Sequence, residues 1–134
     1  MGASQGPLVV GVDDDGKSLV LLKRIVESGG YRFIGVSSGH ELLSVLKTER
    51  PRVILMDVML PQMNGFEASL RVRTGYPQLP AAIIYVTARQ SEEDLRGGIA
   101  AGGNDFVLKP VNREKLLTRI EKWLGKAHLI KTAV

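Results

Sequence analysis

The chain has 134 residues, 44% of them hydrophobic and 24% charged, with a formal net charge of +4. That length suits one domain with one core, and no apolar run approaches the ~18 residues a membrane helix needs. Without cysteine there is no disulfide, thiolate metal site or cysteine nucleophile, and the basic residues are scattered over several segments, which argues against a nucleic-acid surface.

Residues 1–7 read as an N-terminal tail. They lack the cationic start and apolar stretch of a signal peptide, and a cytoplasmic location is expected. Leu8-Val9-Val10-Gly11-Val12 is a first buried strand, ended by Asp13-Asp14-Asp15. A helix is predicted from about Lys17 to Ser28, with Leu19, Leu22, Ile25 and Val26 on one face, stopped by Gly29-Gly30. Tyr31 to Val36 is a weaker second strand. Ser38-Gly39-His40-Glu41 has the spacing of a capping box, and the helix it opens ends before Pro51. Val53-Ile54-Leu55-Met56 is an unbroken apolar run, the mark of a strand buried on both faces, and it ends in Asp57. Pro61 and Asn64-Gly65 mark an ordered turn before a third helix from about Phe66 to Arg73.

Ala81 to Val86 is a fourth strand, ending at Thr87. Ser91 and the acids after it cap a fourth helix. Gly97-Gly98 weakens that helix, which is expected to be the least stable one. Asp105 to Leu108 is a short fifth strand, ending at Lys109-Pro110, and Asn112 caps a last helix bearing Leu116, Leu117, Ile120, Trp123 and Leu124. The domain is taken as residues 8–125, and residues 126–134 as a C-terminal tail.

Five strands alternating with five helices predict a parallel sheet covered on both faces. Ligands of such sheets bind at the carboxyl ends of the strands, beside the point where strand order reverses. The polar residues at those ends are Asp13, Asp14, Asp57, Thr87 and Lys109. Three neighbouring carboxylates repel one another, and a divalent cation relieves this. All-oxygen ligands select a hard ion, Mg²⁺. With a lysine charge and a threonine hydroxyl beside it, such a site has the parts that phosphoryl transfer needs, and a carboxylate can itself be the nucleophile, giving an aspartyl phosphate.

With Asp13-Asp14, Asp57 in the pattern D-x-x-x-P-x-M-x-G, Thr87-Ala88, and Ala101 to Pro110 as a fifth-strand signature, the chain resembles a response-regulator receiver domain of two-component signalling, chemotaxis-regulator-like, from about Leu8 to Leu124. The resemblance implies a flavodoxin-like doubly wound sheet of order 2-1-3-4-5. It implies Asp57 as phosphoacceptor, with a sensor histidine kinase or phosphotransfer protein as donor. It implies Mg²⁺ held by Asp14 and Asp57 directly, Asp13 through water, and the backbone carbonyl of Met59. Lys109 would pair with Asp57 at rest, the Lys109-Pro110 peptide would be cis, and Thr87 would swing to the phosphoryl oxygens while Phe106 turns inward. The protein would catalyse only its own phosphorylation and dephosphorylation and drive an output partner or domain that the sequence does not name. A homodimer is left open, and no membrane or nucleic-acid partner is expected. Three features depart from the family pattern: Phe106 where tyrosine is common, Val111 where an aromatic residue is usual, and the Gly97-Gly98 pair.

Blander readings stand beside these. Asp15 is read as a cap, Met56, Met59 and Met63 as packing, and Trp123 as core or interface. His40 and His128 have no ligand companions at useful spacing. Gly11 to Ser18 fits the phosphate-loop pattern G-x-x-x-x-G-K-[ST], but three consecutive aspartates would repel a triphosphate, each contact costing ~1 kcal/mol even in water. The same acids argue against a flavin phosphate. The remaining alternative is a receiver-fold interaction module that works without phosphorylation.

Overall fold

The computed structural model describes residues 6–88 and 91–126; the outer parts of both tails, His128 among them, lie outside the described residues. The elements alternate strictly: β1 (Leu8–Val12), α1 (Gly16–Ser28), β2 (Arg32–Val36), α2 (Gly39–Val45), β3 (Val53–Met56), α3 (Gly65–Gly75), β4 (Ala82–Thr87), α4 (Glu92–Ala100), β5 (Asp105–Leu108) and α5 (Arg113–Gly125). The five strands form one parallel sheet in the order β2-β1-β3-β4-β5. Strand order therefore reverses between β1 and β3, which pair directly, with Gly11 opposite Leu55 and Val12 opposite Met56.

The period of two along each strand splits the core into two layers. Val10, Val12, Ile54, Met56, Ile83 and Tyr85 face one way and meet Leu42, Leu46, Ala68 and Val72 of α2, its last turn and α3. Val9, Val53, Leu55, Ile84, Val86 and Val107 face the other way and meet Leu22, Ile25 and Val26 of α1 and Leu116 and Ile120 of α5. Trp123 packs on this second layer and donates its indole N–H to Asp105 at 2.8 Å.

Caps set the helix starts. Asp15 accepts from Lys17 N at 3.1 Å and opens α1. Ser91 and Asp94 form a complete capping box on α4. The expected box at α2 is only half made. Ser38 accepts from Glu41 N, but the Glu41 carboxylate passes over Ser38 to Ser37, whose N–H and hydroxyl both donate to it. Two donors on Ser37 outcompete one on Ser38, and these bonds hold the Glu41 carboxyl below its ordinary value. The phosphate-loop match also dissolves. Gly11 is paired inside β1, and Gly16 opens α1 without a left-handed backbone, so no loop wraps around a phosphate there.

Candidate functional site

The ladder itself delivers the acids. Asp13 N donates to Val36 O at 3.1 Å and Asp57 N to Val12 O at 2.9 Å, so each aspartate extends its strand by one residue at the carboxyl edge. Because β1 and β3 are neighbours at the switch point, Asp13, Asp14 and Asp57 converge, with one carboxylate oxygen of each lying within 4.8 Å of the others. The turn after β3 is tight. Gly65 N donates to Val58 O at 2.9 Å, and a Cβ on Gly65 would stand 2.3 Å from the Asp57 carbonyl, so only glycine lets α3 start there.

The surroundings of the three acids differ. Asp13 is 2% and Asp57 8% exposed, whereas Asp14 is open to solvent. Asp13 accepts from Asp15 N at 2.9 Å, and Asp57 from Met59 N at 3.2 Å. Lys109 Nζ lies 2.9 Å from Asp13 and 3.5 Å from Asp57. The lysine is thus shared, and it leans on Asp13 more closely than on Asp57, where pairing was anticipated. Asp13 is the more deeply buried of the two and has the greater need of a counter-charge. Burial pushes the Asp57 carboxyl above its ordinary value; Lys109 pulls it back, Asp13 repels it further up, and the Met59 amide draws it down without restoring it. Burial also opposes the Lys109 charge, but the bond to Asp13 and the charges of Asp57 and Asp13 reverse this and hold the ammonium above its usual range.

Thr87 ends β4 and is buried, and its carbonyl accepts from Lys109 N at 2.8 Å, which ties the start of the Lys109-Pro110 turn to the neighbouring strand. The Lys109-Pro110 peptide is cis. Beside Lys109, a cleft of about 140 Å³ is lined by Ser18, Leu21, Leu22, Val86, Pro110 and Val111.

Two anticipated placements differ. Met59 does not pack: its side chain is 66% exposed, because the turn commits its N–H to Asp57 and points the side chain away from the core. Phe106 is already buried, 6% exposed, against Tyr85 at 4.9 Å between ring centroids. A ring without a hydroxyl gains nothing from solvent, and burying it is worth about 2 kcal/mol.

Sequence reasoning passed over Tyr85 and Arg73. Tyr85 looked like one more apolar strand residue and Arg73 like the end of a helix. Both are buried, and both reach α4 or the turn after it. The available signal was a phenol inside an apolar run, because a buried hydroxyl must find a partner.

A family model described as response regulator receiver domain matches residues 9–121. The transcriptional regulatory protein YvrH of Bacillus subtilis is 37% identical over 122 residues, covering 90% of this chain and 48% of that protein. The chain thus spans about half the length of the curated regulators it matches. Among solved structures, a CheY-like receiver domain protein from Methanospirillum hungatei superposes with a TM-score of 0.85 at 29% identity, covering 93% of this chain and 98% of that one. The receiver domain of sensor histidine kinase PA1611 from Pseudomonas aeruginosa, solved with a magnesium ion coordinated in its active site cleft, gives 0.81 at 28% identity, covering 90% and 98%.

Proposed function

Since the chain belongs to the response regulator receiver domain family of two-component signalling, we propose that Asp57 is its phosphoacceptor and that the acids around it hold Mg²⁺. The carrying observation is the convergence of Asp13, Asp14 and Asp57 within 4.8 Å beside a single shared cation, Lys109. Three carboxylates against one ammonium leave a local excess of negative charge, which a divalent ion balances. The donor set is all oxygen, which suits Mg²⁺, and the magnesium in the PA1611 receiver domain supports the choice. Asp14 and Asp57 would ligate directly, Asp13 through water, and Met59 through its carbonyl. When bound, the ion supplies charge neutralisation for an incoming phosphoryl group.

The residues of the chain do the rest. An Asp57 oxygen attacks phosphorus, the P–N bond of a donor phosphohistidine breaks, and its electron pair returns to the imidazole. The product is an acyl phosphate. Lys109 moves its charge from Asp57 to the new phosphoryl oxygens, and the Thr87 hydroxyl follows them. Water later cleaves the acyl phosphate, returning the carboxylate and inorganic phosphate. The protein is a signalling module that in this way acts on its own side chain alone. Leu21, which lines the cleft beside Lys109, is exposed on α1, giving a donor protein an apolar edge to rest on. No described helix is long and apolar enough to cross a membrane, and we place the reaction in the cytoplasm.

Incubation with Mg²⁺ and acetyl phosphate followed by intact mass measurement tests the proposal. One added phosphoryl group is expected, absent with EDTA and absent in Asp57→Asn. No added mass under conditions that label a known receiver would favour an interaction module, and full labelling of Asp57→Asn would point to another acceptor.

A further inference from the structure

Helix α4 is attached unlike the other helices. Its one buried residue is Gly98, with Leu95 partly buried beside the core. Apolar burial therefore contributes little to holding it. Two polar side chains from other elements reach its carboxyl end instead. The Tyr85 hydroxyl, on β4, lies 3.0 Å from Gly98 O and 2.9 Å from Ser69 Oγ of α3. The phenol has one proton for two oxygens. The Ser69 hydroxyl donates its own proton to Gly65 O at 2.8 Å, so Ser69 Oγ and Gly98 O both stand as acceptors and share the phenol proton. Burial pushes the Tyr85 hydroxyl up to about 12, so it stays a donor at neutral pH, with Ser69 and the Arg73 charge holding it from going higher.

The second side chain is Arg73, on α3 and 3% exposed. Its Nε donates to Gly102 O at 2.9 Å and an Nη to Asn104 Oδ1 at 2.9 Å. It forms no ion pair among the described residues, and its other Nη is buried without a hydrogen-bond partner. A buried cation kept at that cost marks a constraint. The charge sits at the negative end of the α4 dipole. The glycines are the fit for this arrangement: a Cβ on Gly98 would meet Phe106 at 2.6 Å and Tyr85 at 2.8 Å, and one on Gly103 would meet Tyr85 at 2.1 Å. At the other end, among the described residues, the side-chain bonds of the first turn stay within the helix: Ser91 with Asp94, and Arg96 with Glu92.

We infer that Tyr85 and Arg73 are positioning residues that pin the carboxyl end of α4, so that the helix turns about Gly98–Gly102 and its amino-terminal half is the arm that moves when Asp57 is phosphorylated. The pin stands on geometry alone; the turning rests on the phosphoacceptor role proposed above. The arrangement gives Gly98 a purpose and puts in β4 a hydroxyl that Phe106 in β5 lacks.

Amide hydrogen exchange tests both parts on the full chain. In metal-free buffer, Tyr85→Phe should speed exchange of the Gly97–Gly103 amides roughly ten-fold while β1 and β3 amides stay unchanged. Arg73→Lys, which keeps the charge but loses the paired donors to Gly102 O and Asn104 Oδ1, should act in the same direction and serves if Tyr85→Phe does not fold. Both variants within two-fold of the parent at those amides would overturn the pin. With Mg²⁺ and the phosphoryl mimic beryllofluoride, the parent's response should concentrate in the α4 amides before Gly97, and in Tyr85→Phe it should spread along the helix. A uniform response along α4 in the parent would overturn the turning. No response anywhere, together with no acetyl phosphate labelling, would sink both the phosphoacceptor role and the turning, while the metal-free arm still decides the pin.

Discussion

Replacing Asp57 by Asn should make the metal-free protein more stable, although it destroys the proposed function. At an effective dielectric of about 20, two like charges 4.8 Å apart, the outer limit for Asp13 and Asp57, cost ~3.5 kcal/mol, and an ammonium 3.5 Å away returns ~4.7 kcal/mol. Exposed Asp14, screened by water, adds ~1 kcal/mol of repulsion. These contributions nearly cancel. What remains is the desolvation of a carboxylate only 8% exposed, several kcal/mol gross, against one charge-assisted bond from Met59 N worth about 1.5–3 kcal/mol. The ionised form is left disfavoured by about 1–2 kcal/mol, in line with the upward direction of the Asp57 pKa. Asn keeps the shape and the acceptor while removing the charge. Thermal melts at pH 7 in EDTA should show Asp57→Asn about 3–6 °C above the parent. Excess Mg²⁺ should reverse the order, because a ligand at 100 times its dissociation constant contributes ~2.7 kcal/mol to the form that binds it, and the variant lacks one ligand. The pH dependence has a fixed sign. The folded pKa of Asp57 lies above its unfolded value near ~4, so the deficit is fully present above the folded pKa and disappears as pH falls from there towards the unfolded one. The gap between the two proteins should close over that window. An Asp57→Asn protein no more stable than the parent in EDTA, or an equal gain from Mg²⁺ in both, would refute the reasoning.

Lys109→Ala leaves Asp13 and Asp57 facing each other without a counter-charge, and urea melts in EDTA should show a loss of about 2–3 kcal/mol, at the low side of a broken buried pair because the lysine is 27% exposed. Any labelled Lys109→Ala protein should lack the exchange response in α4, which mass-resolved hydrogen exchange would register. Asp14→Asn removes an exposed ligand together with ~1 kcal/mol of repulsion, so the melt in EDTA should rise by about 2–4 °C while Mg²⁺ binding weakens roughly ten-fold by calorimetry. The two α4 glycines should respond with opposite signs. Gly97→Ala meets Phe66 at an ordinary 3.4 Å and should stabilise by about 0.5–1 kcal/mol through helix propensity. Gly98→Ala collides with two buried rings and should destabilise by about 1–2 kcal/mol despite the same propensity gain; denaturant melts of the pair decide.

The order of strands and helices, the identity of the acids and the rim they occupy were legible from the sequence. Apolar runs of period two and 3.6, caps such as Asn64 and Asn112, and strand ends marked by Asp13, Asp57, Thr87 and Lys109 are local signals, and local signals survive in one dimension. The parallel sheet follows from the alternation, and the carboxyl-edge site follows from the sheet. What sequence could not settle is how side chains divide among partners reached across long loops. Whether Lys109 leans on Asp13 or Asp57 depends on which carboxylate is the more deeply buried, and burial is a property of the packed layers. The outward turn of Met59 and the inward lie of Phe106 were decided by a committed backbone amide and by the space beside Tyr85. The attachment of α4 belongs to the same class. Tyr85, Ser69, Gly98, Arg73 and Gly102 come from three separate elements and the turn after one of them, and only the fold brings a phenol and a guanidinium to the carbonyls at the end of a helix that has little else to hold it.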